Sequence, residues 1–298
     1  MKILVIGKNG FAGKNLCEFY EGRSDIELTA TGHKDLDLLN EEEVRTYFAD
    51  RYFDVVIDAA VYNPRVGVDK KPEKELEYDL RMFHNIVKNR DRFGKLIYFG
   101  SGAEYDKRFP ICSVKEDELP RSIPVTDYGF AKYIIGREID SGMYENVYNL
   151  RIFGLFGKYE NWVTTFISGA CCKAVKDLPI TIRRDVYFDY LYVEDFCKII
   201  DSFIKIDRPE FHTYNLCSGR RILLSELADI VKKVSGKDLP TIICNDGLAN
   251  EYTASNERLL KEIGGYSFES CQESIEKLYK WYEDHSDIIN SEQLIYGL

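Results

Sequence analysis

The chain lacks long hydrophobic runs, paired-cysteine spacing, positive charge in excess and histidine in number. No apolar stretch in its 298 residues approaches the roughly 18 needed to cross a bilayer, so no membrane-spanning helix is expected. Nothing basic stands ahead of a cleavable apolar segment: Met1-Lys2 leads straight into a core-type strand, and no signal peptide is expected. The 8 cysteines have no framework spacing, and the adjacent Cys171-Cys172 has no CxxC partner, which predicts reduced thiols in a cytoplasm. Cys17, Cys197 and Cys217 fall in apolar stretches and read as small core hydrophobes. Net charge is −10 with no basic stripe, which argues against nucleic acid as a partner. It does not exclude a small anion, because helix N-termini and a few local cations can hold a nucleotide inside an acidic protein. Repeats, low-complexity linkers and long charge blocks are also missing, and no metal is expected.

What the chain does have is apolar periodicity. Hydrophobic residues make up 45% of it, enough for a large core in one or two domains. Short apolar runs at 3–6, 27–30, 55–58, 95–99 and 147–150 read as strands. Between them, 12–20, 41–49, 74–89 and 127–141 read as helices. That alternation predicts an α/β fold with a doubly wound parallel sheet, covered on both faces. After Leu150 the pattern changes: helices are expected at 163–175, 193–204, 224–234 and 270–284, with strands at 180–182 and 214–217. The expected partition is a main domain of 1–155 plus about 187–217, and a smaller mixed lobe of about 156–186 plus 218–298.

The first strand runs into Gly7-x-x-Gly10-x-x-Gly13, and the third glycine lies in the following helix. In that context the first glycine permits a tight turn, the second admits a pyrophosphate to backbone N–H groups, and the third lets helix pack on strand. Asn9, Phe11 and Ala12 complete this dinucleotide-binding loop. At the end of the second strand a carboxylate would select NAD; here the chain reads Thr29-Ala-Thr-Gly-His33-Lys34, with no acid until Asp35. His33, Lys34 and Lys8 then favour a 2′-phosphate, so NADP(H) is preferred, with NAD(H) the alternative; as plain exposed loop residues, His33 and Lys34 would select neither. Asp37 and Leu38 follow on the adenine side, Asp37 reading equally as a turn or helix N-cap residue. Small residues in Asp58-Ala59-Ala60-Val61 let a cofactor lie across the sheet edge.

A second motif, Tyr128-Gly-Phe-Ala-Lys132, puts a phenol and an ammonium four residues apart on one helical face. A phenol transfers protons near neutral pH only where its anion is stabilised, and a nearby ammonium beside an oxidised nicotinamide does this. Lys132 would also hold the nicotinamide ribose. Ser101, after the apolar run LIYFG, would hydrogen-bond the substrate oxygen and keep it beside the phenol. In a chain with 21 tyrosines a lone YxxxK means little; the glycine loop upstream gives it weight. Phe99, ahead of Ser101, and Ile152 join the cofactor-binding set.

On GKNGFAG, DLDLLN, DVVIDAA, YFGSGAEYD, YGFAK, LRIFGLFGK, YFDYLYVEDF and TYNLCSG the chain resembles the extended short-chain dehydrogenase/reductases, the NAD-dependent epimerase/dehydratase family, over nearly its whole length. HKDLDLLNEEEVRTYF leading into DVVIDAA resembles the GDP-L-fucose synthase and dTDP-4-dehydrorhamnose reductase types most. The resemblance implies a Rossmann domain, a small C-terminal lobe gripping a nucleotide-diphosphate sugar, a role in deoxysugar biosynthesis and a homodimer. It also implies substrate contacts at Ser101, Ala103, Gly154, Asn161, Trp162 and Phe188.

Departures from the family pattern narrow the chemistry. Fucose synthases carry an epimerising Cys two residues past the catalytic Ser, where Ala103 stands here, and a partner His that 161–168 does not supply. His33, His84, His212 and His285 all lie elsewhere. The Asp-Glu pair of 4,6-dehydratases is replaced by Gly102 and Ala103, with Glu104 one position late. Gly154 replaces an Asn and Asp79 another on the long helix; Phe188 replaces a nucleotide-contacting Arg, for which Arg183 and Arg184 are either substitutes or solvated charges. The expectation is an NADPH-dependent 4-ketoreductase of a nucleotide-linked 4-keto-6-deoxy sugar. The alternatives are a nucleotide-sugar 4-epimerase retaining NAD, and a non-catalytic dinucleotide-binding protein on the same fold.

Overall fold

The computed structural model describes residues 1–62 and 71–296. It divides into two compact units: Met1–Arg108, Lys115–Ile152 and Asp201–Leu216 in the first, Phe109–Val114, Phe153–Ile200 and Cys217–Leu298 in the second.

The first unit is built on six parallel strands. In chain order they are β1 (Lys2–Ile6), β2 (Glu27–Thr31), β3 (Phe53–Asp58), β4 (Phe93–Ser101), β5 (Val147–Ile152) and β6 (Thr213–Leu216). Across the sheet they run β6-β5-β4-β3-β1-β2. Helices α1 (Phe11–Tyr20), α2 (Glu41–Ala49), α3 (Glu75–Val87) and α4 (Asp127–Asp140) connect them. Because β1 is flanked by β2 on one side and β3 on the other, successive crossovers leave in opposite directions there. That opens a crevice at the carboxyl ends of β1 and β3, where Gly7 and Ala59 lie. Ile3, Leu4, Val5, Val55, Val56 and Ile57 are all buried, since both faces of these strands are covered. On one face Leu4, Ile6, Val56, Leu96 and Tyr98 meet Val44, Phe48, Phe83, Ile86, Ile135 and Ile139 from the helices.

In the second unit Ile111–Val114, Tyr252–Ala254, Tyr187–Phe188 and Ile222–Leu223 form a mixed four-stranded sheet. Thr241–Leu248 pairs in parallel with Ile180–Asp185, and Gly154–Phe156 with Tyr190–Tyr192. Segments 109–114, 153–155 and 187–200, and residue Cys217, fall differently from the partition expected of the sequence. Residues 187–200 group with the second unit because Tyr187–Phe188 pairs with Ile222–Leu223 and Tyr252–Ala254, and Ile111–Val114 joins them by pairing with Tyr252–Ala254. The helix expected from 163 begins at Phe166, because Asn161 first makes a turn: its carbonyl accepts Thr164 N and its side chain accepts Val163 N. Cys197 and Cys217 are buried; Cys17 is only half-buried, and Cys112 and Cys244 are exposed. Among the described residues no helix is long and apolar enough to cross a membrane.

Candidate active site

The loop after β1 is shaped by what its glycines exclude. Gly7 has φ +91°, and a Cβ there would lie 2.8 Å from the Ala59 carbonyl carbon. At Gly13 a Cβ would come within 2.2 Å of Gly7 O, so the helix can approach the turn only without one. Gly10 differs, since its Cβ would meet nothing closer than Gly7 O at 3.4 Å. It is the N-cap of α1, has no side chain to satisfy the first-turn amides, and no acid follows in that turn. Uncapped amides, an absent Cβ and the positive end of a helix suit a pyrophosphate, so these residues fit a dinucleotide. Ala59 and Ala60 are half-buried at the crevice and Val61 is exposed.

At the end of β2 the acid is nearer than the sequence order suggests. The Asp35 carboxylate folds back to accept Gly32 N at 2.8 Å and lies 2.8 Å from Lys8 Nζ. The Lys8 ammonium, then the Gly32 amide, holds its carboxyl below the usual range. Lys8 is thus drawn to Asp35, and His33 lies 3.8 Å from the Asp37 carboxylate with most of its side chain exposed. Asp37 also caps a turn, its Oδ1 accepting Leu39 N at 3.0 Å, while the N-cap of α2 is Asn40. Leu38 is buried, and Asn85 of α3 donates to its carbonyl at 2.9 Å. Asn9 packs on Gly32, where a Cβ would stand 2.5 Å from its amide nitrogen.

Local structure explains where Tyr128 and Lys132 stand. Thr126 caps α4 by accepting Gly129 N at 3.2 Å, which starts the helix at Asp127 and puts Tyr128 in its first turn. The absent side chain of Gly129 lets that turn close on the chain after Ser101, since a Cβ would be 3.3 Å from Ala103 O. One turn on, Lys132 is buried, its Nζ donating to Phe99 O at 2.8 Å. The same ammonium lies 4.4 Å from the centre of the Tyr98 ring and 5.8 Å from that of Tyr128, which is half-buried. Ser101 ends β4 opposite Ile152, and its Oγ accepts Ala103 N at 3.1 Å. That bond takes one acceptor position of the hydroxyl and leaves its O–H able to donate.

Two carboxyls surround this lysine. Burial pushes Asp58 up to about 6, opposed by the Lys132 charge, and its Oδ1 accepts Ala60 N at 3.1 Å. Burial likewise raises Asp79, whose Oδ1 accepts Tyr62 N at 2.7 Å.

Within the second unit Gly154 and Phe188 meet: a Cβ on Gly154 would lie 2.7 Å from the Phe188 ring and 2.6 Å from Asp189 O. The Phe188 ring stacks on Tyr190 and lies tilted against Tyr252, with centroids 4.7 and 4.8 Å away. Trp162 lines a cavity of about 280 Å³ with Thr165, Phe166, Lys173 and Thr181. Nearby Glu160 is buried; desolvation pushes it up to about 8, against a hydrogen bond from Ser168. Arg183 and Arg184 are exposed.

A profile of the NAD dependent epimerase/dehydratase family matches residues 3–217. The chain belongs to that family. Among its curated relatives, the GDP-L-colitose synthase of Yersinia pseudotuberculosis is 22% identical over 256 residues, covering 79% of this chain and 82% of that protein. GDP-L-fucose synthases stand among the others. Of solved structures, the GDP-mannoheptose C4 reductase of Campylobacter jejuni, with NADP bound, superposes with a TM-score of 0.81 at 17% identity, over 95% of this chain and 98% of that one. The UDP-glucose 4-epimerase of Thermotoga maritima, with UDP-glucose, gives 0.79 at 16%, over 96% and 100%.

As a member of the epimerase/dehydratase family the chain has a nicotinamide dinucleotide as its cofactor. Three of its histidines serve structure: His84 meets Glu138 at 2.8 Å, His212 stacks on Tyr148, and His285 stacks on Trp281. Residue-by-residue reading of the motifs missed Arg151 and Asn149, which lie wholly buried behind Ser101, and gave Glu104 no role. A signal was present for Arg151, a charge inside the largely apolar stretch 147–153, since such a charge is buried only when paired; Glu104, followed closely by Asp106, Lys107 and Arg108, carried none.

Proposed function

We propose that this protein is an NADPH-dependent reductase acting on C4 of a nucleotide-linked 4-keto-6-deoxy sugar. The observation that carries the reading is the buried Lys132, pinned by Phe99 O beneath the Tyr128 ring, on a helix whose first turn closes against the chain following Ser101. When bound, the reduced nicotinamide supplies hydride to the carbonyl carbon. Tyr128 gives its phenolic proton to the carbonyl oxygen, and the Ser101 O–H donates to the same oxygen and fixes its position. Lys132 steadies the phenolate that remains and holds the nicotinamide ribose. One hydride and one proton convert the ketone to an alcohol, leaving oxidised cofactor.

Simple reduction is favoured because Ala103 supplies no thiol and 161–168 no imidazole for epimerising the sugar first. The relatives' names, a C4 reductase and a colitose synthase, support the substrate class. Purified protein with NADPH and a panel of GDP- and dTDP-linked 4-keto-6-deoxy hexoses is expected to consume NADPH, read at 340 nm, with at least one of them. Tyr128→Phe is expected to cut kcat by about 100-fold or more, the scale of a lost general acid. Turnover unaffected by Tyr128→Phe, or no oxidation with any sugar, ends the reading. The Asp35 carboxylate at the ribose side favours one second reading, a 4-epimerase retaining NAD. Bound NAD released on denaturation, with epimerisation needing no added reductant, would select it.

A further inference from the structure

The turn after Ser101 is held by more than a surface cap needs. Residues Gly102–Tyr105 form one 3₁₀ turn with a reciprocal capping box: Ser101 Oγ accepts Ala103 N, and the Glu104 side chain accepts Ser101 N at 3.2 Å. Capping carboxylates ordinarily face water, but Glu104 has no exposed surface. Its Oε2 lies 2.5 Å from Arg151 Nε, and Asn149 Nδ2 donates to both oxygens at 3.2 and 3.3 Å. Arg151, also without exposed surface, continues to the Asp140 carboxylate at 3.0 Å and the Tyr105 hydroxyl at 3.2 Å.

Space for this carboxylate is made by two glycines. A Cβ at Gly100 would fall 2.4 Å from Glu104 Oε1, and one at Gly136 the same distance from Oε2. A buried ion pair adds little net stability, because desolvation offsets its attraction. Its cost is therefore poorly explained by the stability of a four-residue turn. What the arrangement does fix is the direction of Ser101: Glu104 holds the amide, Ala103 N–H occupies an acceptor of the hydroxyl, and the O–H is left for a ligand.

We propose that Glu104 is a positioning residue for the reduction, its Arg151-anchored carboxylate aiming the Ser101 hydroxyl at the substrate oxygen. The inference rests on the reductase reading for its consequence, though not for its geometry. Glu104→Gln keeps shape but loses the charge that Arg151 and the Ser101 amide share. In the full-length enzyme kcat is expected to fall about 10- to 100-fold, while KM and NADPH affinity change less than about threefold, as for an interaction made in the transition state. If Glu104 acts through Ser101, the double variant S101A/E104Q loses no more kcat than S101A alone, whereas a merely structural defect multiplies the two losses.

A second measurement avoids turnover. Hydrogen exchange of the Ser101 and Ala103 amides is expected to speed up at least tenfold in Glu104→Gln, with the strand amides of β1 unchanged. Multiplicative kcat losses, or unaltered exchange at both amides, overturns the proposal. Wild-type enzyme inactive on every sugar would instead refute the reductase reading, and the exchange result would still judge the positioning. Should Glu104→Gln not fold, Glu104→Asp takes its place: it keeps an anion for Arg151 but withdraws it from the Ser101 amide, with the same outcomes expected.

Discussion

Gly136→Ala sets two known effects against each other. In the middle of α4 an alanine is worth up to about 1 kcal/mol over glycine from helix propensity alone. The structure opposes that gain. The new Cβ would stand 2.4 Å from Glu104 Oε2 and 3.0 Å from both Glu104 Cδ and Asn149 Nδ2, against the 3.4 Å at which ordinary contact begins. Something has to move by roughly 1 Å, the scale at which packed contacts are forfeited. Glu104 is not the loose end of a surface side chain, because Arg151 grips it at 2.5 Å and Asn149 from the other side. Overpacking of this kind costs about 1–3 kcal/mol, and a weakened buried ion pair adds to it. Packing outweighs propensity, and a net loss of roughly 2 kcal/mol is expected. Urea titration followed by circular dichroism is expected to show a lower midpoint, with a melting temperature several degrees down. A midpoint equal to or above that of the wild type would mean that Glu104 does not occupy the space claimed for it.

Other expectations follow from the same geometry. Asp35→Asn releases Lys8 and removes the carboxylate that follows β2, so the ratio of kcat/KM for NADPH over NADH is expected to rise about tenfold, equivalent to about 1.4 kcal/mol; an unchanged ratio would disconnect Asp35 from cofactor choice. Gly13→Ala is expected to abolish NADPH binding in a fluorescence titration, because its Cβ collides with the Gly7 carbonyl that shapes the loop. Glu160 has a carboxyl raised from about 4.5 unfolded to about 8 folded, so the native state binds the extra proton and stability falls as pH climbs through that window. Glu160→Gln removes the penalty: little change is expected at pH 5 and a gain of a few kcal/mol at pH 8.5, at about 1.4 kcal/mol for each tenfold difference in proton affinity between the folded and unfolded chain. Parallel urea midpoints at the two pH values would contradict this.

Much of the first unit was legible in the chain. β1, α1 and the Gly7-Gly10-Gly13 loop announce themselves because three backbone demands fall within seven residues, and the helix carrying Tyr128 and Lys132 begins at a threonine cap. The second unit was less readable for a physical reason. Strands such as Tyr187–Phe188 and Ile222–Leu223 are two residues long and exist only through partners far away in sequence, so no local period marks them. Thr241–Leu248 is almost wholly exposed and carries no inward alternation. At the candidate site, spacing pointed to Ser101, Tyr128 and Lys132, but spacing cannot say that Asp35 turns back onto Gly32 or that Glu104 runs inward. Those are decisions of backbone direction after a glycine, and they become visible only in three dimensions.

The contact between Lys132 and the carbonyl of Phe99 has one last consequence. A lysine left free samples many rotamers, and freezing them costs up to about 2 kcal/mol. Here the backbone of β4 settles that loss as the chain folds, before any ligand arrives. If Lys132 holds the cofactor as proposed, the ligand meets a rigid ammonium, and its affinity need not be taxed for organising it.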